Sequence, residues 1–188
     1  MSNRFYSFIG GNSGRWRVCD IRPIVGQGLD SVSHIEVTNE ELRQLPTNAA
    51  WCLRGVTSNQ RYTQREELNS LVAVQPVLGR KEATCAALIP ITKSVAWWEL
   101  PQDERREIIE SRSAHIATGL RYLPAVARRL HHSRDLGEPF DFITWFEFAP
   151  QDTAVFDELV AALRKTEEWN YVEREIDIRL TRSDTEPS

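Results

Sequence analysis

One histidine, His115, sits among apolar residues at helical spacing, and an arginine, Arg128, follows it beyond Pro124. A lone neutral imidazole is one axial ligand for a haem iron, and it leaves the opposite coordination position to a substrate. An arginine stays charged even when buried, so Arg128 can hold an anion above such an iron. Taken alone, a histidine on an apolar helical face is more often a hydrogen-bonded core residue than a ligand. The neighbours of His115 argue for the ligand. Ser111 and Gly119 fall one turn to either side and Ala114 precedes it, small residues that let a flat macrocycle approach the helix.

Further residues fit around that pair. In a strand, Val126, Arg128 and Leu130 share a face, which sets a cation between apolar side chains, whereas neighbouring Arg129 fits a solvated or snorkelling role. Gln75 can orient Arg128 by hydrogen bonding, although a glutamine is by default a surface residue. The Glu167-Glu168-Trp169 segment follows a helix and offers a carboxylate for the second ring nitrogen of a metal-bound histidine, which makes the imidazole a stronger donor. Lys93, Trp97 and Tyr62 each carry a donor suited to a haem propionate, set against default places on the surface, in the core and in the core.

Other chemistry is poorly represented. His131 and His132 are adjacent in a strand and point to opposite faces, and His34 has no nearby partner, so none of them builds a metal site. No HExxH, CxxC or GxSxG motif occurs, and Lys81 after Gly79-Arg80 lacks the glycine pattern of a phosphate loop. The net charge is −4 with both signs mixed along the chain, which argues against nucleic acid or an anionic membrane as partner. No apolar run approaches the ~18 residues of a membrane span. The start, MSNRFYSFIGGNSGRW, lacks the features of a secretion signal, so a cytoplasmic protein is expected. Cys19, Cys52 and Cys85 are odd in number and far apart, consistent with buried thiols in a reducing compartment.

Elements must then position these groups. The 188 residues, 41% apolar, can form one large domain or two small packed ones. Strand-like pieces punctuated by glycine run from Arg4 to Ile9, Trp16 to Ile24, Ser33 to Val37 and Ala50 to Ser58, with a short helix or turn from Tyr62 to Leu71. From Thr84 to Trp97 the pattern suits one long bent strand or two interrupted at Pro90. One long helix should follow, begun by Pro101, Asp103 and Glu104 and ended by Pro124, with His115 at its middle. Val126 to Ser133 and Phe140 to Phe148 read as a hairpin, Thr153 to Lys165 as a second amphipathic helix, and Tyr171 to Leu180 as a last strand. Strand, helix, strand, strand, helix, strand is the split βαβ, ferredoxin-like order, so both helices should cover one sheet face. The expected fold class is α+β, with an N-terminal reduced half over residues 1–80 and a C-terminal ferredoxin-like half over 81–188.

The segments LRGVTSNQRY, AALIPITKSVAWWEL, SAHIATGLRYLPAVARRLHHSRDLGEPFDFITWFEF and TEEWNYVEREIDIRL together resemble the chlorite dismutase family, closest to its short-chain members, from about Trp51 to Leu180. The resemblance implies two ferredoxin-like halves packed as a dimeric α+β barrel, a homodimer, and haem b in the C-terminal half. Carried over by motif, it implies His115 as proximal ligand, Arg128 as distal arginine, and Glu168 rather than Glu167 as the acid bonded to the histidine. It further implies Gln75 as a distal glutamine, and Tyr62, Lys93 and Trp97 around the propionates. Members that decarboxylate coproporphyrin haem usually carry glutamine where this chain has Arg128. The resemblance therefore implies conversion of chlorite to chloride and dioxygen, with coproporphyrin decarboxylation or peroxidation, and a non-enzymatic haem carrier, as the alternatives.

Overall fold

In the computed structural model, which describes residues 4–42, 44–57 and 77–183 and of residues 115 and 116 the backbone, eight antiparallel strands close into a barrel. β1 (Phe5–Gly11), β2 (Trp16–Val25), β3 (His34–Thr38) and β4 (Ala49–Thr57) come first in the chain. β5 (Cys85–Lys93), β6 (Val126–His132), β7 (Phe142–Phe148) and β8 (Val172–Arg182) follow. The order around the barrel is β1-β3-β2-β8-β5-β7-β6-β4. Each set of four therefore runs fourth, first, third, second, and the sets join edge to edge at β2–β8 and β4–β6.

Period-two alternation explains how the two layers form. Inward residues such as Phe8, Trp16, Ile35, Leu53, Leu88, Ile143, Trp145, Ile176 and Ile178 fill the barrel. Outward residues of the second set, Ala87, Ile89, Ile91, Val126, Phe146, Phe148 and Val172, pack beneath Phe156, Leu159, Val160 and Leu163. Those four residues lie at i, i+3, i+4 and i+7 on helix α4 (Thr153–Leu163), so one stripe of the helix covers the sheet. Burying each such side chain contributes roughly 1.5–3 kcal/mol. β5 is covered on both faces, which is why it reads as a nearly continuous apolar run.

Two local readings of the sequence differ from the structure, and a third, left open between one strand and two, is decided. β5 is a single strand through Pro90, one of the two arrangements expected: its pairing with β7 runs unbroken through Pro90↔Ile143, while its pairing with β8 skips from Leu88↔Ile178 to Ile91↔Glu175. The strand stops at Lys93, and Trp97 and Trp98 belong to helix α1 (Val95–Glu99), capped by Ser94, whose hydroxyl accepts the Trp97 N–H. The expected long helix is two pieces. Helix α2 (Gln102–Glu107) runs into a π-turn over Ile108–Arg112, Ala114 then adopts a left-handed conformation at φ 45°, and helix α3 (His115–Leu120) begins. His115 therefore opens a short helix instead of sitting mid-helix, and Ser111 lies on a different element from Gly119. The stretch Tyr62–Leu71 lies outside the described residues.

Candidate functional site

Arg128 sits on β6 opposite Phe146 of β7 and faces the helix-covered side with Val126. Its guanidinium lies directly against α3. A Cβ built on Gly119 would stand 2.9 Å from Nη1 and 3.2 Å from both Cζ and Nη2. Only a residue without a side chain leaves that space, and Gly119 is one turn beyond His115. Burial pulls the Arg128 guanidinium below its ordinary value. An arginine begins at about 12 or above, so it remains a cation. Arg129 points into the barrel mouth instead, donating to the Tyr6 hydroxyl at 2.5 Å with its guanidinium 4.9 Å from that ring.

Beside the residues that lead into α3 lies a 3₁₀ turn, Glu167–Tyr171. Glu168 within it is buried, and its N–H donates to the Ser113 hydroxyl at 3.0 Å, which ties the turn to a residue two before His115. Glu167 faces outward and pairs with Arg112 at 3.1 Å. The two adjacent acids thus differ in surroundings: one lies beside the start of α3, the other on the surface.

Lys93 was expected beside a propionate, and its ammonium is directed to Glu168. Nζ donates to Oε1 at 2.9 Å and to the backbone carbonyl at 3.2 Å. Lys93 is 2% exposed, with Nζ 4.6 Å from the Trp97 ring centroid and 5.4 Å from that of Trp169. Burial pulls the ammonium below its ordinary value, while Glu168 first, then Asp141 and Glu175, pull it back up. Buried Trp97 also packs against Tyr171 at 5.4 Å between rings. Tyr62 and Gln75 lie outside the described residues.

Sequence reasoning missed three supports. Asp141, buried, accepts the Lys93 N–H at 2.7 Å, the Trp98 indole at 3.2 Å and Arg134 at 3.1 Å, and so clamps β5, α1 and the β6–β7 connection together. Ser113 and Glu175 are the others. Glu175 had a visible signal, because Glu175, Asp177 and Arg179 fall on one face of a strand whose other face is Ile176, Ile178 and Leu180. His131 and His132 do point apart: His131 packs on Tyr6 and Phe8 inside the barrel, and His132 on Phe142. Among the described residues no three His, Cys, Asp or Glu side chains gather as a set for a bare metal ion.

The fold is an α+β barrel, and its candidate site sets a guanidinium against the glycine of one short helix and a buried carboxylate beside the residues that lead into that helix. A family model described as chlorite dismutase matches residues 29–183. A dimeric chlorite dismutase of Nitrobacter winogradskyi is 54% identical, with a TM-score of 0.88 over 95% of this chain and 99% of its own. A chlorite dismutase of Ideonella dechloratans is 36% identical over 86 residues, a match that spans 46% of this chain and 28% of that protein's length. A chlorite dismutase of Candidatus Nitrospira defluvii, solved in complex with imidazole, shares the fold with a TM-score of 0.67 and 19% identity over 97% of this chain and 93% of its own. The chain belongs to the chlorite dismutase family.

Proposed function

We propose that this chain is a haem b oxidoreductase that converts chlorite to chloride and dioxygen. The observation that carries the reading is the gathering of two groups at α3 and the residues leading into it: the Arg128 guanidinium against Gly119, and the buried Glu168 carboxylate anchored through Ser113. The residues present fit a haem. His115 would supply one imidazole and Glu168 an acceptor for its second ring N–H, while Gly119 leaves the space that the Arg128 guanidinium takes. Tyr62, Trp97 and Lys93 are assigned to the propionate surroundings, with Lys93 also countering the charge of Glu168.

When bound, the haem iron supplies the redox chemistry that cleaves a Cl–O bond and lets the two oxygens of one chlorite ion join. The chain's own residues do the rest. Arg128 draws the chlorite anion into a site of low dielectric, where its charge acts more strongly than in water. It then holds the hypochlorite-level fragment until the oxygens have combined, and Gln75 is assigned to orienting that guanidinium. Chlorite to chloride plus dioxygen balances without an external electron donor or net proton, so a site short of general acids suffices. Arg128 also favours this reading over coproporphyrin decarboxylation, where glutamine is usual at that position.

The reading includes a homodimer, supported by the similar Nitrobacter winogradskyi protein being described as dimeric. It includes two ferredoxin-like halves over residues 1–80 and 81–188, supported by the repeated strand order, and a cytoplasmic setting, supported by three free cysteines. Among the described residues no helix is long and apolar enough to cross a membrane.

The test is oxygen release from chlorite by the haem-loaded protein, measured with an electrode beside free haem at equal concentration. Evolution well above the control is expected. Arg128→Ala should release hypochlorite and bleach the haem sooner, and Gly119→Ala should do so to a lesser degree because its methyl displaces the guanidinium. No oxygen above the control would move the function to decarboxylation, peroxidation or haem carriage. Unchanged rate and turnover number in Arg128→Ala would remove the arginine from the reaction.

A further inference from the structure

Outward from the barrel, β8 presents Glu175, Asp177 and Arg179 to the layer beneath α4, and both acids are 0% exposed. A buried carboxylate is costly unless paired and hydrogen-bonded. Asp177 is compensated by arginines alone: Arg179 Nε at 2.5 Å and Nη2 at 3.1 Å, and Arg164 Nη2 at 2.9 Å. Burial by itself would raise its carboxyl, yet the two guanidiniums hold it below the usual carboxylate range.

Glu175 is arranged differently. Its Oε1 takes Arg164, from Nε at 2.8 Å and Nη2 at 2.6 Å. Its Oε2 takes the indole N–H of Trp169 at 2.8 Å. Trp169 follows Glu168 in the same 3₁₀ turn, and its ring forms one wall of the Lys93 pocket. That bond satisfies the N–H of a half-buried indole and a lone pair of a buried carboxylate at once. The carboxylate is bonded at one end to the C-terminus of α4 and at the other to the turn that carries Glu168.

We propose that Glu175 is a positioning residue, which locks the Trp169 indole against the Lys93 ammonium and so sets the place and basicity of the Glu168 carboxylate beside His115. The proposal rests on the assignment of Glu168 as acceptor for His115. The ring face must stay turned toward Nζ for the cation–π contact to hold, and the N–H bond to Glu175 fixes that rotation. When the indole is released, Lys93 loses a wall, water reaches the pair, and Lys93 offsets less of the Glu168 charge. Glu168 then becomes a stronger acceptor, and the histidine a stronger donor to iron.

The experiment compares Glu175→Gln, Trp169→Phe, Lys93→Met, Glu168→Ala and Asp177→Asn in the haem-loaded protein by spectroelectrochemical reduction potential and by hydrogen exchange of the 167–171 amides. Trp169→Phe deletes the N–H together with the five-membered ring and leaves an aromatic face for Nζ, so it carries the test even if Glu175→Gln fails to fold. Glu175→Gln and Trp169→Phe should both lower the potential in the direction of Lys93→Met, by a smaller amount, and speed exchange in 167–171. Asp177→Asn, in the same cluster but bonded only to arginines, should leave the potential where it is. A wild-type potential in Glu175→Gln and Trp169→Phe, with Lys93→Met displaced, overturns the proposal and leaves the functional reading standing. A wild-type potential in Glu168→Ala overturns both, because the acceptor itself would then be misassigned.

Discussion

The two sets of four strands repeat one order and share one barrel interior, yet they differ on their outer faces. β5 is buried along nearly its whole length beneath the helical layer, whereas β2, which also pairs with β8, is exposed or half-buried after Trp16. The same contrast holds for charge. The second set buries Lys93, Glu168, Glu175 and Asp177, while the ion pair joining the two parts, Arg54–Glu138, has its arginine side chain 35% exposed. A strand order alone thus does not make a site. What does is a second covered face, where a charge is both costly to bury and effective once buried.

The sharpest way to break that contrast is to remove one member of a buried pair. Lys93→Met should destabilise the protein by about 3–5 kcal/mol, since Glu168 is left buried and unpaired. Lys93→Met with Glu168→Gln should recover much of that loss, and thermal unfolding of the three proteins checks both statements. If the double variant is no more stable than Lys93→Met, the cost is not that of an uncompensated charge.

Next in size is the seam between the sets. Among the described residues β4 and β6 meet through Val56↔His132 and Thr57↔His131, and His131, 1% exposed, lies under that seam. Its Nδ1 lies 3.2 Å from the Ile143 carbonyl, while Nε2 has no partner, as is also true of Thr57 Oγ1 and Ser133 Oγ. Burial first, then Arg129 and His132, lower the ring to about 4 from 6.5, against a rise from the Ile143 carbonyl. The folded ring stays neutral while the unfolded chain takes up a proton below pH 6.5, so stability is intact above that pH and falls on the way to pH 4. The loss is about 3 kcal/mol by linkage. Urea unfolding from pH 7 to 4 measures it, and His131→Leu should flatten that part of the slope.

Smaller effects refine the comparison. Ala114→Gly should stabilise the protein by about 1 kcal/mol, because a left-handed alanine is strained and glycine is not. A loss of stability there would mean that the alanine methyl makes packing worth more than the strain. Arg54→Met should cost less than Lys93→Met, because Glu138, although its side chain is 5% exposed, keeps the backbone N–H of residue 54 as a donor. A cost near that of Lys93→Met would erase the distinction between the two regions.

Much of the frame was legible in the chain. Alternation located all eight strands to within a few residues, and apolar spacing located α4, since both patterns are local consequences of which face is buried. The Ser94 cap could have been read, because a serine three residues before Trp97 is a helix-start signal that the apolar run concealed. The break before His115 was not legible. Its residues continue a helical pattern, and the left-handed Ala114 follows from how α3 meets its neighbours.

The sequence by itself determined the alternating strands and the amphipathic α4, and it singled out one histidine and one arginine as candidates for a haem centre. It did so because side-chain periodicity and donor chemistry are properties of nearby residues. Only the tertiary structure decided that Glu168 is the buried member of its pair, that Lys93 turns toward it, that the Arg128 guanidinium rests on Gly119, and that Glu175 reaches Trp169. These contacts join residues between 6 and 75 positions apart. Their energies depend on shared burial, which no local pattern contains.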